Sequence, residues 1–159
     1  MTAAIELQPL DVRHVPRLRE LHQEPGVLQW WGPMEHGFPF DEAESQRFAI
    51  VVDGEVAGLI QWGDDSTDET RHAYVDIFVG DDWAGRGIGT EAMQMITRRL
   101  IDEHRYHRIT LDPATENAQA IRSYEKAGFR AVGTLRRSYR EHESAEWRDE
   151  LLMELIVDP

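Results

Sequence analysis

Two periods run through the hydrophobic positions of this chain, and the switches between them mark out its elements. Short apolar or alternating runs predict strands at residues 4–7, 48–52, 55–62, 74–79 and 108–112. Asp53-Gly54 joins the second and third of these as a tight antiparallel hairpin. Spacings of three and four predict helices. Asp11 caps one through Val12, Val15, Leu18 and Leu21; a short one follows over residues 25–31; Asp41 caps a brief one through Gln46. Ile88, Ala92, Met93, Ile96 and Leu100 form the apolar face of a longer helix running to about Arg105, in which Met93 and Met95 fill the core. Asn117 caps a last helix that Gly128 ends. Residues 129–135 then read as a strand, with a closing antiparallel pair over 135–142 and 146–157.

The stretch from Tyr74 to Arg105 organises the rest, because a strand there runs through a glycine loop into a helix. A helix start exposes unpaired N–H groups and the positive end of its dipole, which together bind an anion. Gly85, Arg86, Gly87, Ile88, Gly89 and Thr90 make up that turn, and its alternating glycines let a phosphate approach the backbone. A glycine-rich turn also serves as a plain tight connection. Spacing excludes the dinucleotide fingerprint, since neither Thr90 nor Ala92 is the required third glycine, and the loop has no lysine to make a nucleotide P-loop.

Alternation sets Tyr74, Asp76 and Phe78 on one face of the central strand, so Asp76 interrupts an apolar element and needs a partner or water. Strand, helix and strand across residues 74–112 imply a parallel crossover, with ligands at the carboxyl ends of the strands. Asp112, followed by Pro113, stands at such an end and faces the same crevice as Asp76, although an Asp-Pro pair also simply makes a turn. Tyr124 lies seven residues beyond Asn117, two turns along one helix face, so both can reach that crevice. Of the adjacent Trp30 and Trp31, about 100° apart on a helix, one can pack inside while the other faces a cleft.

Composition narrows the classes. The 159 residues, 41% hydrophobic, fit one domain over 1–159. No apolar run approaches the ~18 residues that would span a bilayer, and the N-terminus shows no export signal, so a cytoplasmic protein off the membrane is expected. Seventeen basic against thirty acidic residues give a net charge of −13, which repels nucleic acid and favours a cationic small molecule. With no cysteine there is no thiol nucleophile. His104 and His107 lack a third ligand, and no metal is expected.

Gly87 and Gly89 occupy the two glycine positions of the Gln/Arg-x-x-Gly-x-Gly/Ala turn, and the chain here resembles the GNAT superfamily of N-acyltransferases. Ala84 replaces the Gln/Arg, removing a side-chain contact while leaving the amides. Asp112-Pro113 followed by Asn117, Ala120-Ile121-Arg122, Tyr124-Glu125-Lys126-Ala127-Gly128-Phe129 resembles, more narrowly, aminoglycoside 6′-N-acetyltransferases, as does Trp30-Trp31-Gly32. Trp147-Arg148-Asp149-Glu150-Leu151-Leu152-Met153 is similar to ribosomal-protein and small-amine acetyltransferases.

The resemblance implies an α/β (α+β) GNAT fold: a mixed sheet of six to seven strands with flanking helices, its fourth and fifth strands parallel and splayed. It implies acetyl-CoA as co-substrate, held by residues 85–90 with Asn117, Lys126 and Tyr124, and a backbone N–H near Phe78 or Val79 for the developing oxyanion. Asp112 would be the base, Asp76 the cation site, Tyr124 the proton donor to the departing thiolate, and Trp31 an acceptor-site wall. The expected activity is acetyl transfer to a cationic small amine, an aminoglycoside first. Protein N-termini, siderophore precursors or a non-catalytic acyl-CoA sensor remain as alternatives, and the protein is expected to be a monomer or homodimer.

Overall fold

The computed structural model describes residues 2–158. Asp53 and Gly54 both take positive φ, 49° and 86°, the hand that matches the twist of a two-residue hairpin. They fold strand β2 (Gln46–Val52) back on β3 (Glu55–Asp64), with β1 (Ile5–Pro9) antiparallel outside β2 and β4 (Ala73–Val79) antiparallel outside β3. The chain then crosses through helix α3 (Ile88–Asp102) to β5 (Arg108–Leu111), which lies parallel to β4. After helix α4 (Ala118–Lys126), a hairpin of β6 (Arg130–Arg140) and β7 (Trp147–Ile156) places β7 against β5. One seven-stranded mixed sheet results, in the order β1-β2-β3-β4-β5-β7-β6.

Period-two alternation divides the core between the sheet's two faces. On one, Ile88, Ala92, Met93, Ile96 and Leu100 of α3 pack on Ile50, Ile60, Val75, Ile109 and Met153. On the other, Leu18 and Leu21 of helix α1 (Val15–His22) and Val27 of α2 (Pro25–Trp31) pack on Leu59 and Phe78. The central strand therefore alternates as expected, with Val75 facing α3 and Phe78 facing α1 and α2.

Three local expectations change. Asp41 starts no helix: its carboxylate takes a 2.6 Å bond from Arg47, a side chain buried at the start of β2, and residues 43–44 form a turn instead. That bond turns the carboxylate toward Arg47. Asp11 caps a 3-10 turn, Val12–His14, before α1, and the tighter pitch leaves Val12 76% exposed rather than on the buried face. The stretch after Phe129 is one long strand with a bulge, in which the three residues 136–138 between Leu135 and Tyr139 oppose the single Asp149 between Glu150 and Arg148. Asp149 accepts the Arg137 N–H there at 2.8 Å, and Arg137 has φ 52°.

Between β4 and β5, pairing is confined to Ala73 with Ile109 and Tyr74 with Thr110. Beyond that point β4 stays with β3, out to a 2.8 Å bond from Gly80 N–H to Ala57 O. The chain after β5 follows β7, through Leu151 N–H to Pro113 O at 2.8 Å and a bridge between Ala114 and Glu150. Each strand keeps its outer neighbour, so the sheet's twist opens a wedge between them.

The core assignment is testable at α3. Ile96→Ala removes a fully buried side chain and is expected to cost about 2–5 kcal/mol of unfolding free energy in urea denaturation, whereas Arg98→Ala, at an exposed position, changes it by less than about 0.5 kcal/mol.

Candidate functional site

The wedge opens into a cleft of about 880 Å³ that gathers most of the residues singled out by sequence. Its lining includes Trp31, Asp76, Phe78, Val79, Gly85, Gly87, Gly89, Thr90, Asp112, Asn117, Tyr124 and Lys126. Arg86 and Ile88 are not part of it. The Arg86 guanidinium stacks 5.4 Å from the Trp83 ring, and the Ile88 side chain is buried in the core, so Ile88 offers the cleft only its amide.

At one end stands the head of α3. Gly87 caps it in the left-handed region, φ 79° and ψ 2°, and Gly85 has φ 74°. Glu91 bonds its N–H to Gly87 O at 3.0 Å, closing the first helical turn. The amides from Gly87 to Thr90 thus precede the helix's own ladder. Thr90 and Ser123 share a 2.8 Å hydroxyl bond that draws α4 beside this helix start. Together they form a cradle for an anion with no fixed cation at its base, and Lys126 and Arg122 line the wall nearby.

In the wedge itself, strand alternation decides which backbone groups are free. Gly80 turns its N–H to β3, and so by alternation does Phe78, paired with Leu59. Ile77 and Val79 point the other way, into the gap. The indole N–H of Trp31 confirms this direction by donating to Ile77 O at 3.2 Å. Phe78 contributes its ring to the second core, 4.9 Å from Trp31 in a T-shaped contact, and its amide does not face the cleft. Trp31 is thus partly core and partly wall, and Trp30 also reaches the cleft.

Acidic groups collect at the other end. The Asp76 carboxylate is held by Gln61, whose amide N–H donates to Oδ2 at 3.1 Å. Burial pushes its pKa up, as do Asp112 and Glu42 nearby, while the Gln61 bond and Arg47 oppose the rise. Asp112 stands at the open rim, where crowding by protein on one side and the charge of Glu150 push it up to about 6. Burial holds the Tyr124 hydroxyl well above the ordinary phenol value, with Asp76 and Asp112 adding to the effect, so Tyr124 keeps its proton at neutral pH. Asn117 spends its Oδ1 on the cap, accepting Ala120 N–H at 3.2 Å, and retains its amide donors for the cleft.

Sequence reasoning missed Gln61, Glu42, Tyr139 and Glu150, which all line this cleft. Gln61 carried a signal, as a polar residue amid Leu59-Ile60 and Trp62, and the β3–β4 register sets it opposite Asp76. Glu150 had none, because only the observed hairpin brings it to the mouth. Chemically, the site pairs an anion cradle with a carboxylate pair across a gap lined by free backbone amides.

Comparisons with known proteins converge on one family. A family model described as "Acetyltransferase (GNAT) family" matches residues 9–129. Aminoglycoside N(6')-acetyltransferase type 1 of Klebsiella pneumoniae is 23% identical over 154 residues, covering 83% of this chain and 77% of its own. Spermidine N(1)-acetyltransferase of Escherichia coli K12 is 24% identical over 142 residues, covering 83% and 76%. A solved spermidine N-acetyltransferase of Vibrio cholerae, in complex with CoA and spermine, superposes with TM-score 0.81 over 96% of this chain and 95% of its own at 18% identity, which shows a shared fold.

The raised Asp112 pKa has a consequence for stability. A carboxyl that holds its proton more tightly folded than unfolded loses stability to ionisation as pH rises from its ordinary 3.8 to about 6. Asp112→Asn removes that loss. Scanning calorimetry is expected to show the variant melting above the parent at pH 8, with the difference gone below about pH 4.

Proposed function

We propose, from the premise that this chain belongs to the acetyltransferase (GNAT) family, that it transfers the acetyl group of acetyl-CoA to a primary amine of a cationic small molecule, an aminoglycoside first. The observation that carries the reading is the meeting, in one cleft, of the α3 amide cradle with Asp76 and Asp112 across the β4–β5 wedge.

Each group has a task that its surroundings suit. The amides of residues 87–90 and the dipole of α3 would hold the coenzyme's diphosphate, with Lys126 and Asn117 beside it. Acetyl-CoA supplies an activated thioester, so the amine attacks directly and no protein nucleophile is needed. The Ile77 and Val79 amides, fixed on a sheet strand, would stabilise charge developing on the thioester oxygen as the C–N bond forms and the C–S bond breaks.

An amine reaches the site as an ammonium with a pKa near 10.4 and is inert until deprotonated. Asp76, desolvated and anchored by Gln61, would attract it. Asp112, raised to about 6, is a better proton acceptor than an ordinary carboxylate and lies open to water that can carry the proton away. Tyr124, kept protonated by burial, would return a proton to the departing thiolate.

The acceptor class rests on charge. Glu42, Asp76, Asp112 and Glu150 line the cleft, and the curated relatives bear the names of aminoglycoside and spermidine enzymes. A second reading, a linear polyamine acceptor, draws on the same acids.

Thiol release measured across aminoglycosides, polyamines, lysine derivatives and short peptides is expected to peak with an aminoglycoside. A peak with spermidine would favour the second reading, and release from none would leave a coenzyme-binding sensor. Asp112→Asn and Asp76→Asn are each expected to lower kcat/KM by about 10²–10⁴, and Tyr124→Phe to lower kcat with KM for acetyl-CoA unchanged. Parental rates in both aspartate variants would discard the acceptor-site assignment.

A further inference from the structure

Behind Asp76 lies a buried polar chain that the proposed chemistry has not used. Gln61 donates its amide N–H to Asp76 Oδ2 at 3.1 Å and accepts Arg47 Nε–H on its carbonyl oxygen at 2.7 Å. Arg47, 9% exposed, spends Nη1 on Pro39 O at 2.7 Å and on Asp41 Oδ1 at 2.6 Å, and Nη2 lies 3.6 Å from Glu42. Its guanidinium also sits 5.7 Å from the centre of the Phe38 ring. Gln61 is itself 4% exposed.

An amide side chain presents a donor at one end and an acceptor at the other, and nothing in its shape decides which faces which way. Here the cation decides. Arg47 has donors only, so it fixes the Gln61 oxygen toward itself and leaves the Gln61 N–H₂ with no direction but Asp76. A flipped amide would set oxygen against carboxylate and nitrogen against guanidinium.

We propose that Arg47 and Gln61 are positioning residues for Asp76: Arg47 orients the Gln61 amide, and the oriented amide turns its N–H to the Asp76 carboxylate and aims that carboxylate into the cleft. The same guanidinium ties down residues 38–42, bringing Glu42 to the cleft wall, so one buried cation organises two sides of the acceptor end. The role assigned to Asp76 in acceptor binding comes from the proposed function, and this inference adds what orients its carboxylate.

Other groups act on Asp76 as well. Asp112 at the end of β5, Glu42 in the loop before β2, Tyr74 on its own strand and Tyr124 on α4 all lie near enough to interact with it. Asp65, His72 and Arg108 line the smaller cavity that also touches it, and Arg108 is paired with Glu154 at 2.9 Å. Among these the Gln61 N–H is the hydrogen bond that the carboxylate receives from a side chain. Losing it raises the pKa of Asp76.

The test reads Asp76 directly. Carboxyl titration by carbon-13 NMR, with the Asp76 signal identified by its loss in Asp76→Asn, is expected to move up by about one pH unit or more in Gln61→Met. That variant keeps the volume and removes the donor. Arg47→Lys keeps the charge, never touches Asp76 and loses the Nε that orients the amide, and it is expected to move Asp76 in the same direction by a smaller amount. A merely structural role would lower stability in both variants without moving the titration. An unshifted Asp76 in whichever variant folds overturns the proposal. Kinetics separates this from the proposed function: an upward NMR shift with the acceptor KM unchanged keeps the Arg47–Gln61 relay and removes Asp76 from acceptor binding, whereas an acceptor KM raised about tenfold at neutral pH, with that for acetyl-CoA constant, supports both.

Discussion

The structure depends on two parallel strands that part company. β4 and β5 pair at two positions and then follow different neighbours, β4 to β3 and β5 to β7. Backbone amides left unpaired inside a sheet are costly unless something else satisfies them. On the β4 side the Trp31 indole already satisfies the Ile77 carbonyl, and the amides of Ile77 and Val79 face the gap. A gap in a sheet, which elsewhere would be a defect, is here the entrance to a cleft of about 880 Å³.

Charge is divided along that cleft. In a protein with a net charge of −13, the positive features of this cleft are the amides and dipole of α3, with Lys126 and Arg122 at the wall. The acids concentrate at the other end, where Asp112 and Glu42 add to the burial that pushes Asp76 up and Glu150 adds to that which pushes Asp112 up. Asp76 receives its side-chain hydrogen bond from a neutral amide rather than from a direct ion pair.

Much of this was legible in the chain. Asp53-Gly54 could hardly be anything but a hairpin, Asn117 and Gly128 bracket α4 as their chemistry requires, and the strand, glycine loop and helix from Tyr74 onward pointed straight to the cleft. Asp76 and Asp112 stood out because a charge in an apolar strand and an acid at a strand end both need explaining. What stayed hidden was long-range. Arg47 takes Asp41 away from a helix start from six residues off, and only the tertiary position of that guanidinium decides the contest. The bulge at residues 136–138, which the local pattern read as a break between strands, is set by Asp149 across the hairpin. An amide of Phe78 or Val79 was expected to face the cleft; strand parity turns Phe78 to β3 and leaves Val79, with Ile77, facing the gap, and parity follows from pairing with β3 rather than from the residue itself.

The central claim is that coenzyme and acceptor meet through this wedge, with the diphosphate on the α3 amides. Isothermal calorimetry of the folded protein with acetyl-CoA addresses it most directly. The account predicts saturable binding at one site per chain that Gly87→Val weakens at least tenfold, since a β-branched residue resists the positive φ that aims those amides. Absence of heat from the parent, or equal affinity in the variant, would contradict it.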